Sequence, residues 1–403
     1  MKGFAVRCLV LVCMVIALSS SGWAAERPIR ILYLDALSGP AKDNGDRYLL
    51  GIQFAIEEVN AQGGLLGRKV EVIAEDSQVK PDVAVRKAQK YLLEEGVDIV
   101  TAGTGSHVAK ALADATKQYN VLFMNLTLSD EATGKDFVYH AVRPCYNTAM
   151  IARALVTYVA QNKPFKRFYL LNQDYAYGRD FAAAFKKEIK KQIPGAEIVG
   201  EDYHPLFGKD LSPFLTKIKA SNADAIMTAD YGPDISILLK QRYELGVKAV
   251  IVNNALANPT VVRENPEAAL GNIACDAYMI TTKTKENTDL VNRWQKRHKG
   301  GEYPVPDCVS GRAYMGMKFI LEGIKKAQSV QVNKLVPVLE GMRQQSVNGE
   351  VYMRACDHQF QTPLPVVTIT SKTAPYFSAP VMISVSAASI EEQEIDNPRC
   401  KRK

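Results

Sequence analysis

The sequence predicts an α/β protein of two similar lobes built on parallel sheets. Three observations predict it: short apolar runs alternate with helical periods, the alternation restarts after Arg143, and a chain of 403 residues exceeds what one hydrophobic core usually serves. In such a ladder each crossover helix returns the next strand parallel to the last, so helices cover both faces of the sheet.

The first ladder opens with an apolar strand at 29–34, a loop at 35–46 and a helix at 48–62 whose Ile52, Ala55, Ile56 and Val59 share one face. Gly63 and Gly64 stop that helix. Strand 69–75, helix 81–94, strand 97–102, helix 108–119 and strand 121–125 continue the series. The second ladder runs through helix 148–161, strand 167–172, helix 178–192, strand 197–203, helix 211–220, strand 225–229, helix 234–245 and strand 249–253. Beyond Cys275 come a strand near Tyr278, helices at 289–299, 310–326 and 332–342, and strands near 347–354 and 366–370. These last elements are shared between the lobes, because neither ladder alone accounts for them.

Residues 1–24 read as a secretory signal peptide. Lys2 and Arg7 precede an apolar run at 8–18, and Gly22 and Ala24 stand at the spacing a signal peptidase accepts, which places cleavage after Ala24 and the mature chain outside the cytoplasmic membrane. The run is too short to span a bilayer, and Val12 before Cys13 is not the small residue of a lipoprotein site. Cleavage leaves 379 residues, and loss of Lys2 and Arg7 takes the net charge from +7 to +5. Basic and acidic residues are spread along the chain, which is a solvated surface and not a nucleic-acid footprint. Charge concentrates only at the end, where acidic residues precede 399–403, so the tail from 383 is expected to be disordered.

Five cysteines remain: Cys145, Cys275, Cys308, Cys356 and Cys400. An oxidising compartment favours one or two disulfides and leaves an odd thiol, expected at Cys400. No spacing matches a metal knuckle, and His107, His140, His204, His298 and His358 show no metal pattern either. Enzyme readings fail on their motifs. GTGSHV at 103–108 puts Val108 where a dinucleotide fingerprint needs its third glycine, and neither GxSxG nor HExxH occurs. No catalytic activity and no cofactor are expected.

In open parallel sheets ligands bind beyond the carboxyl ends of strands, where helix N-termini offer unpaired N–H groups. The loop at 103–107 lies there, and Ser106 is placed to cap the helix that follows. From position alone, a purely capping serine and a ligand-holding one fit equally well.

The stretch 38–106 resembles the N-terminal lobe of the branched-chain amino-acid type of periplasmic binding protein, above all in Asn60 with GGLLG at 63–67 and in Asp76. QDYAYG at 173–178 and ADYGPD at 229–234 resemble the second lobe's ligand loops, and DHQ at 357–359 matches a late strand, so the resemblance runs from about 29 to 369. It implies a type I fold: two Rossmann-like lobes joined by a three-crossover hinge near Arg143, Ile280 and Arg354. The first lobe would comprise 27–143 with 281–353, and the second 144–280 with 354–382. It also implies a monomer that binds a small molecule, closes over it and delivers it to a membrane ABC permease. A ligand-sensing subunit of a membrane receptor is the alternative, and a secreted α/β enzyme a weaker one.

The resemblance assigns the ligand's charged head to Ser106 and to Thr127, with Ser129 as the neighbouring choice, and assigns the opposite wall to Tyr177 and Tyr231. His107 is either a ligand contact or a surface histidine in the first helical turn. One departure stands out. The glutamate that the family offers to a ligand ammonium is replaced in NNALAN (253–258), where Ala255 stands nearest that position. Either Asp174 or Asp230 supplies the charge, or the ligand carries no free amine. The hinge crossings bring Cys145 and Cys356 near each other, so a disulfide between them is expected.

Overall fold

A computed structural model describes residues 27–372, 383–385 and 397–401, so the expected leader lies outside the described residues. The first sheet contains β1 (Ile29–Asp35), β2 (Val70–Asp76), β3 (Ile99–Ala102), β4 (Leu122–Asn125) and β5 (Ala141–Val142) in the order β2-β1-β3-β4-β5, all parallel. Helices α1 (Lys42–Ala61), α2 (Pro81–Lys90) and α3 (Ser106–Thr116) make the crossovers. The central strands β3 and β4 are buried at every position, as a parallel sheet covered on both faces requires.

The chain then enters the second lobe through α4 (Thr148–Asn162) and β6 (Arg167–Gln173). There follow α5 (Ala176–Gln192), β7 (Glu197–His204), α6 (Ser212–Ser221), β8 (Ala225–Met227), α7 (Pro233–Glu244) and β9 (Val250–Asn253). Two short helices, α8 (Pro259–Glu264) and α9 (Pro266–Ala269), lead to β10 (Ile273–Cys275). Strands β7, β6, β8, β9 and β10 are parallel neighbours in that order.

After β10 the chain returns to the first lobe. Helix α10 (Lys285–His298) packs on α1 by the Phe54–Trp294 ring pair, 4.8 Å between centroids, and by the Arg293–Glu58 and Arg297–Glu57 ion pairs. Helix α11 (Cys308–Ala327) lies against α1 so closely that a Cβ on Gly51 would stand 2.1 Å from the Ser310 carbonyl oxygen. Its start is fixed by Asp307, whose carboxylate accepts from the Val309 and Ser310 N–H groups while Ser310 reaches back in a capping box. Helix α12 (Val332–Leu339) and an antiparallel sheet of β11 (Arg343–Ser346), β12 (Gly349–Met353) and β13 (Phe360–Gln361) follow. Strand β14 (Leu364–Thr368) then pairs antiparallel to β10, back in the second sheet. No helix among the described residues is long and apolar enough to cross a membrane.

Three features depart from the sequence-based expectations. The pairing Cys145–Cys356 is not formed: Cys356 is joined to Cys400, and Cys145 is a buried free thiol. The two regions do lie side by side, since the Gln359 side chain donates to the Cys145 carbonyl at 2.7 Å. The Cys145 sulfur, however, points at the Asn125 and Thr127 carbonyls beneath β4, away from Cys356. The tail expected to be disordered supplies β15 (Ile383–Val385), paired with β14, and a docked segment at 397–401. There Asn397 donates to the Thr133 carbonyl, and Arg399 meets Glu340 at 2.7 Å and covers the Phe137 and Tyr139 rings. Finally, the strand expected near Tyr278 is the shorter β10, which ends at Cys275.

Candidate ligand-binding cleft

A cavity of about 60 Å³ lies between the lobes, at the carboxyl ends of β3, β4, β8, β9 and β10. One water needs roughly 10–15 Å³ on the same scale, so a small organic molecule is the size class that fits.

The first lobe's wall is built on Asp35 at the end of β1. Its carboxylate accepts from the Ala36 N–H at 2.7 Å, from the Gly103 N–H at 2.6 Å and from the Thr104 N–H at 3.1 Å. Burial nevertheless raises its pKa against those bonds. This clamp holds the loop after β3, and Gly105, at φ +85°, turns that loop into α3. The cap position is therefore Gly105. Ser106 is the first helical residue, and the α3 start has no side-chain cap, which leaves the serine hydroxyl available to the cavity it lines. Thr127 also lines the cavity, and its N–H and hydroxyl both donate to the Asn125 side chain at 2.8 Å. Ser129 turns the other way and donates to Asp180 of the second lobe.

From the second lobe come Tyr175, Tyr177, Tyr231, Asn254 and Ala255. Tyr177 lies in the first turn of α5 and donates to the Asn254 side chain at 3.0 Å, while burial pushes its own pKa up. The Tyr231 hydroxyl is buried beside that of Tyr175 with no hydrogen bond of ordinary geometry, and burial raises its pKa to about 12. Ala255 lines the wall as the alanine it is, with no carboxylate.

Three further residues singled out from sequence, like Ser129, do not line the cavity. Asp174 is exposed and paired with Arg179. Asp230 is fully buried but accepts from His204 at 3.0 Å. His107 packs its ring edge-on to Tyr175 and uses Nε2 on the Val79 carbonyl at 3.2 Å.

Sequence reasoning missed the two charged side chains that do line the cavity, Arg312 of α11 and Asp276 just beyond β10. They meet at 2.9 Å. Arg312 also donates to the Tyr48 and Tyr146 hydroxyls and lies 5.1 Å from both ring centroids, while its Nε is buried without a partner. Asp276 accepts from the Ala277 N–H at 2.6 Å, and burial, opposed by Arg312, raises its pKa to about 6. Ala274 pairs with Asn253 across β10 and β9, and Asp276 and Ala255 each stand two residues past that pair, beyond the ends of neighbouring strands. The carboxylate absent at 255 thus has a neighbour one strand away, already held by a guanidinium. Two unit charges about 5 Å apart interact by roughly 3 kcal/mol at an effective dielectric of about 20, so Arg312 repels most of what Asp276 attracts in a cation.

Bonds across the cleft close it on two sides. Asp180 accepts from Ser129 and from the Asp130 N–H at 3.1 Å; Arg47 of α1 reaches Thr260 of α8, and Asn258 donates to Asp43 at 3.4 Å.

A family profile described as periplasmic binding protein matches residues 28–374. The Leu/Ile/Val-binding protein homolog 4 of Brucella abortus (strain 2308) is 26% identical over 381 residues, covering 89% of this chain and 88% of that one. The closed leucine-, isoleucine-, valine-, threonine- and alanine-binding protein of Brucella ovis superposes with a TM-score of 0.79 at 22% identity, over 91% of this chain and 97% of that one. The solute-binding protein of an ABC transporter from Rhodopseudomonas palustris BisB5, solved with 3,4-dihydroxybenzoic acid, gives 0.76 at 22% identity, over 85% and 93%. The chain belongs to the periplasmic binding protein family, with the two-lobed α/β fold of its solved relatives.

Proposed function

We propose that this protein captures a small solute in the interlobe cleft by hinge closure and hands the closed form to a membrane ABC importer. The observation that carries this reading is a cavity walled by both lobes, with Ser106 and Thr127 on one side and Tyr177 and Tyr231 on the other, under bonds that only a closed cleft makes. The printed names of the relatives agree in kind, being Leu/Ile/Val-binding proteins and solute-binding proteins of ABC transporters. The leader-like segment at 1–24 and the family together favour a periplasmic site of action.

The hinge is formed by crossings near residues 143, 280 and 354, between a first lobe of 27–143 with 281–353 and a second of 144–280 with 354–382. Its first and third strands run side by side: the Arg143 N–H donates to the His358 carbonyl at 3.0 Å and the Phe360 N–H to the Arg143 carbonyl at 3.1 Å. At the second crossing the Asn287 side chain donates to the Ile280 carbonyl at 2.9 Å. Binding needs no reaction at any residue, and the protein acts here as a carrier.

A thermal-shift screen of the unfolded and refolded chain against amino acids, amides and small carboxylic acids tests the reading. A specific ligand at about 100 times its Kd stabilises the native state by roughly 2.7 kcal/mol, so a true ligand raises Tm by several degrees. A broad panel without one such compound refutes solute capture.

A further inference from the structure

The only charged side chains that line the cavity, among the described residues, are Arg312 and Asp276, and they are bound to each other. An ammonium entering this cleft therefore meets no carboxylate that lacks a counter-charge. The Ser106 hydroxyl, by contrast, is not consumed by helix capping and lines the cavity, where it can donate to a ligand oxygen. Four tyrosine rings, those of Tyr48, Tyr175, Tyr177 and Tyr231, form much of the remaining wall, which suits an apolar body behind the acceptor group.

We propose, on the solute-capture reading, that the buried Arg312–Asp276 pair makes this cleft selective for a small carboxylate without an α-ammonium. Arg312 is the specificity-determining residue because it neutralises the one carboxylate that could hold an amine. Its contacts with Tyr48 and Tyr146 fix the guanidinium in place before the ligand arrives, so little ordering is left for binding to carry out.

Calorimetric titration of the refolded chain with matched pairs tests this: propanoate against alanine, 4-methylpentanoate against leucine, and phenylacetate against phenylglycine. In the pair whose apolar body fits, the acid binds at least tenfold more tightly than its amino counterpart. The pair that responds also separates an aliphatic source from an aromatic one. Arg312→Lys keeps the charge beside Asp276, so rejection of the amine persists. Asp276→Asn leaves Arg312 uncompensated and tightens the acid, an effect that a merely structural pair would not give. Equal or tighter binding of an amino acid overturns the inference and leaves solute capture standing, as does silence of every pair when the broad thermal screen finds a ligand of another class. Silence in both experiments overturns solute capture itself.

Discussion

Ser106 was legible as a candidate because it opens the helix of a strand–turn–helix passage, where any α/β sheet presents free N–H groups to a ligand, and it does line the cavity. What the sequence did not show is that Gly105 takes the cap position and frees the hydroxyl. Ser106→Ala should weaken the strongest ligand of the screen by roughly tenfold to a hundredfold, the worth of a hydrogen bond to a charged group, with the Tm of the ligand-free chain unchanged. Arg312 was not legible for a different reason. CVSGRAYMG reads as a core helix, and only the return of the chain across both lobes brings its fifth residue to the cleft. His204 offers a second test. Burial alone would lower its pKa, but the hydrogen bond and charge of Asp230 outweigh that and raise it to about 9. Stability from this pair is full below the unfolded value near 6.5 and is lost as pH rises through about 9. His204→Gln should flatten the fall of Tm between pH 7 and 10, read by calorimetry.

At the scale of elements, the alternating ladders were read correctly in kind because each buried strand is a short apolar run and each helix carries an apolar stripe. The pieces that were missed are short or depend on distant partners: β5 and β13 have two residues each, and α8 and α9, both opened by proline, have six and four. The contact of α1 with α11 could not be read at all, since it joins residues some 260 positions apart. It makes a sharp prediction. Gly51→Ala places a methyl group 2.1 Å from a backbone oxygen that has no rotamer to yield, so the helices must separate. A loss of about 1–3 kcal/mol in urea unfolding is expected, with ligand affinity reduced as Arg312 shifts with its helix.

For the whole molecule, the two-lobed plan followed from length and from the repeated ladder, whereas the fate of the tail did not, because a charged segment carries no sign of a distant cysteine partner. The Cys356–Cys400 bond closes a loop of 44 residues and ties the 397–401 segment to the turn between β12 and β13, while Arg399 meets Glu340 and Asn397 meets Thr133. Cys400→Ser should cost about 2–4 kcal/mol in denaturant unfolding, and Cys145→Ser should not reproduce that loss through any change in disulfide content. The proposed closure also belongs to the whole: on that reading Ser129 with Asp180 and Arg47 with Thr260 join the lobes while the cleft is shut and part when it opens.

Small-angle X-ray scattering of the refolded, ligand-free chain, before and after saturation with the strongest stabiliser from the thermal screen, tests capture by closure most directly. The radius of gyration should fall on binding to that of the closed form described here. An unchanged radius at saturation would contradict the account, because it would place binding outside a cleft that has to open and shut.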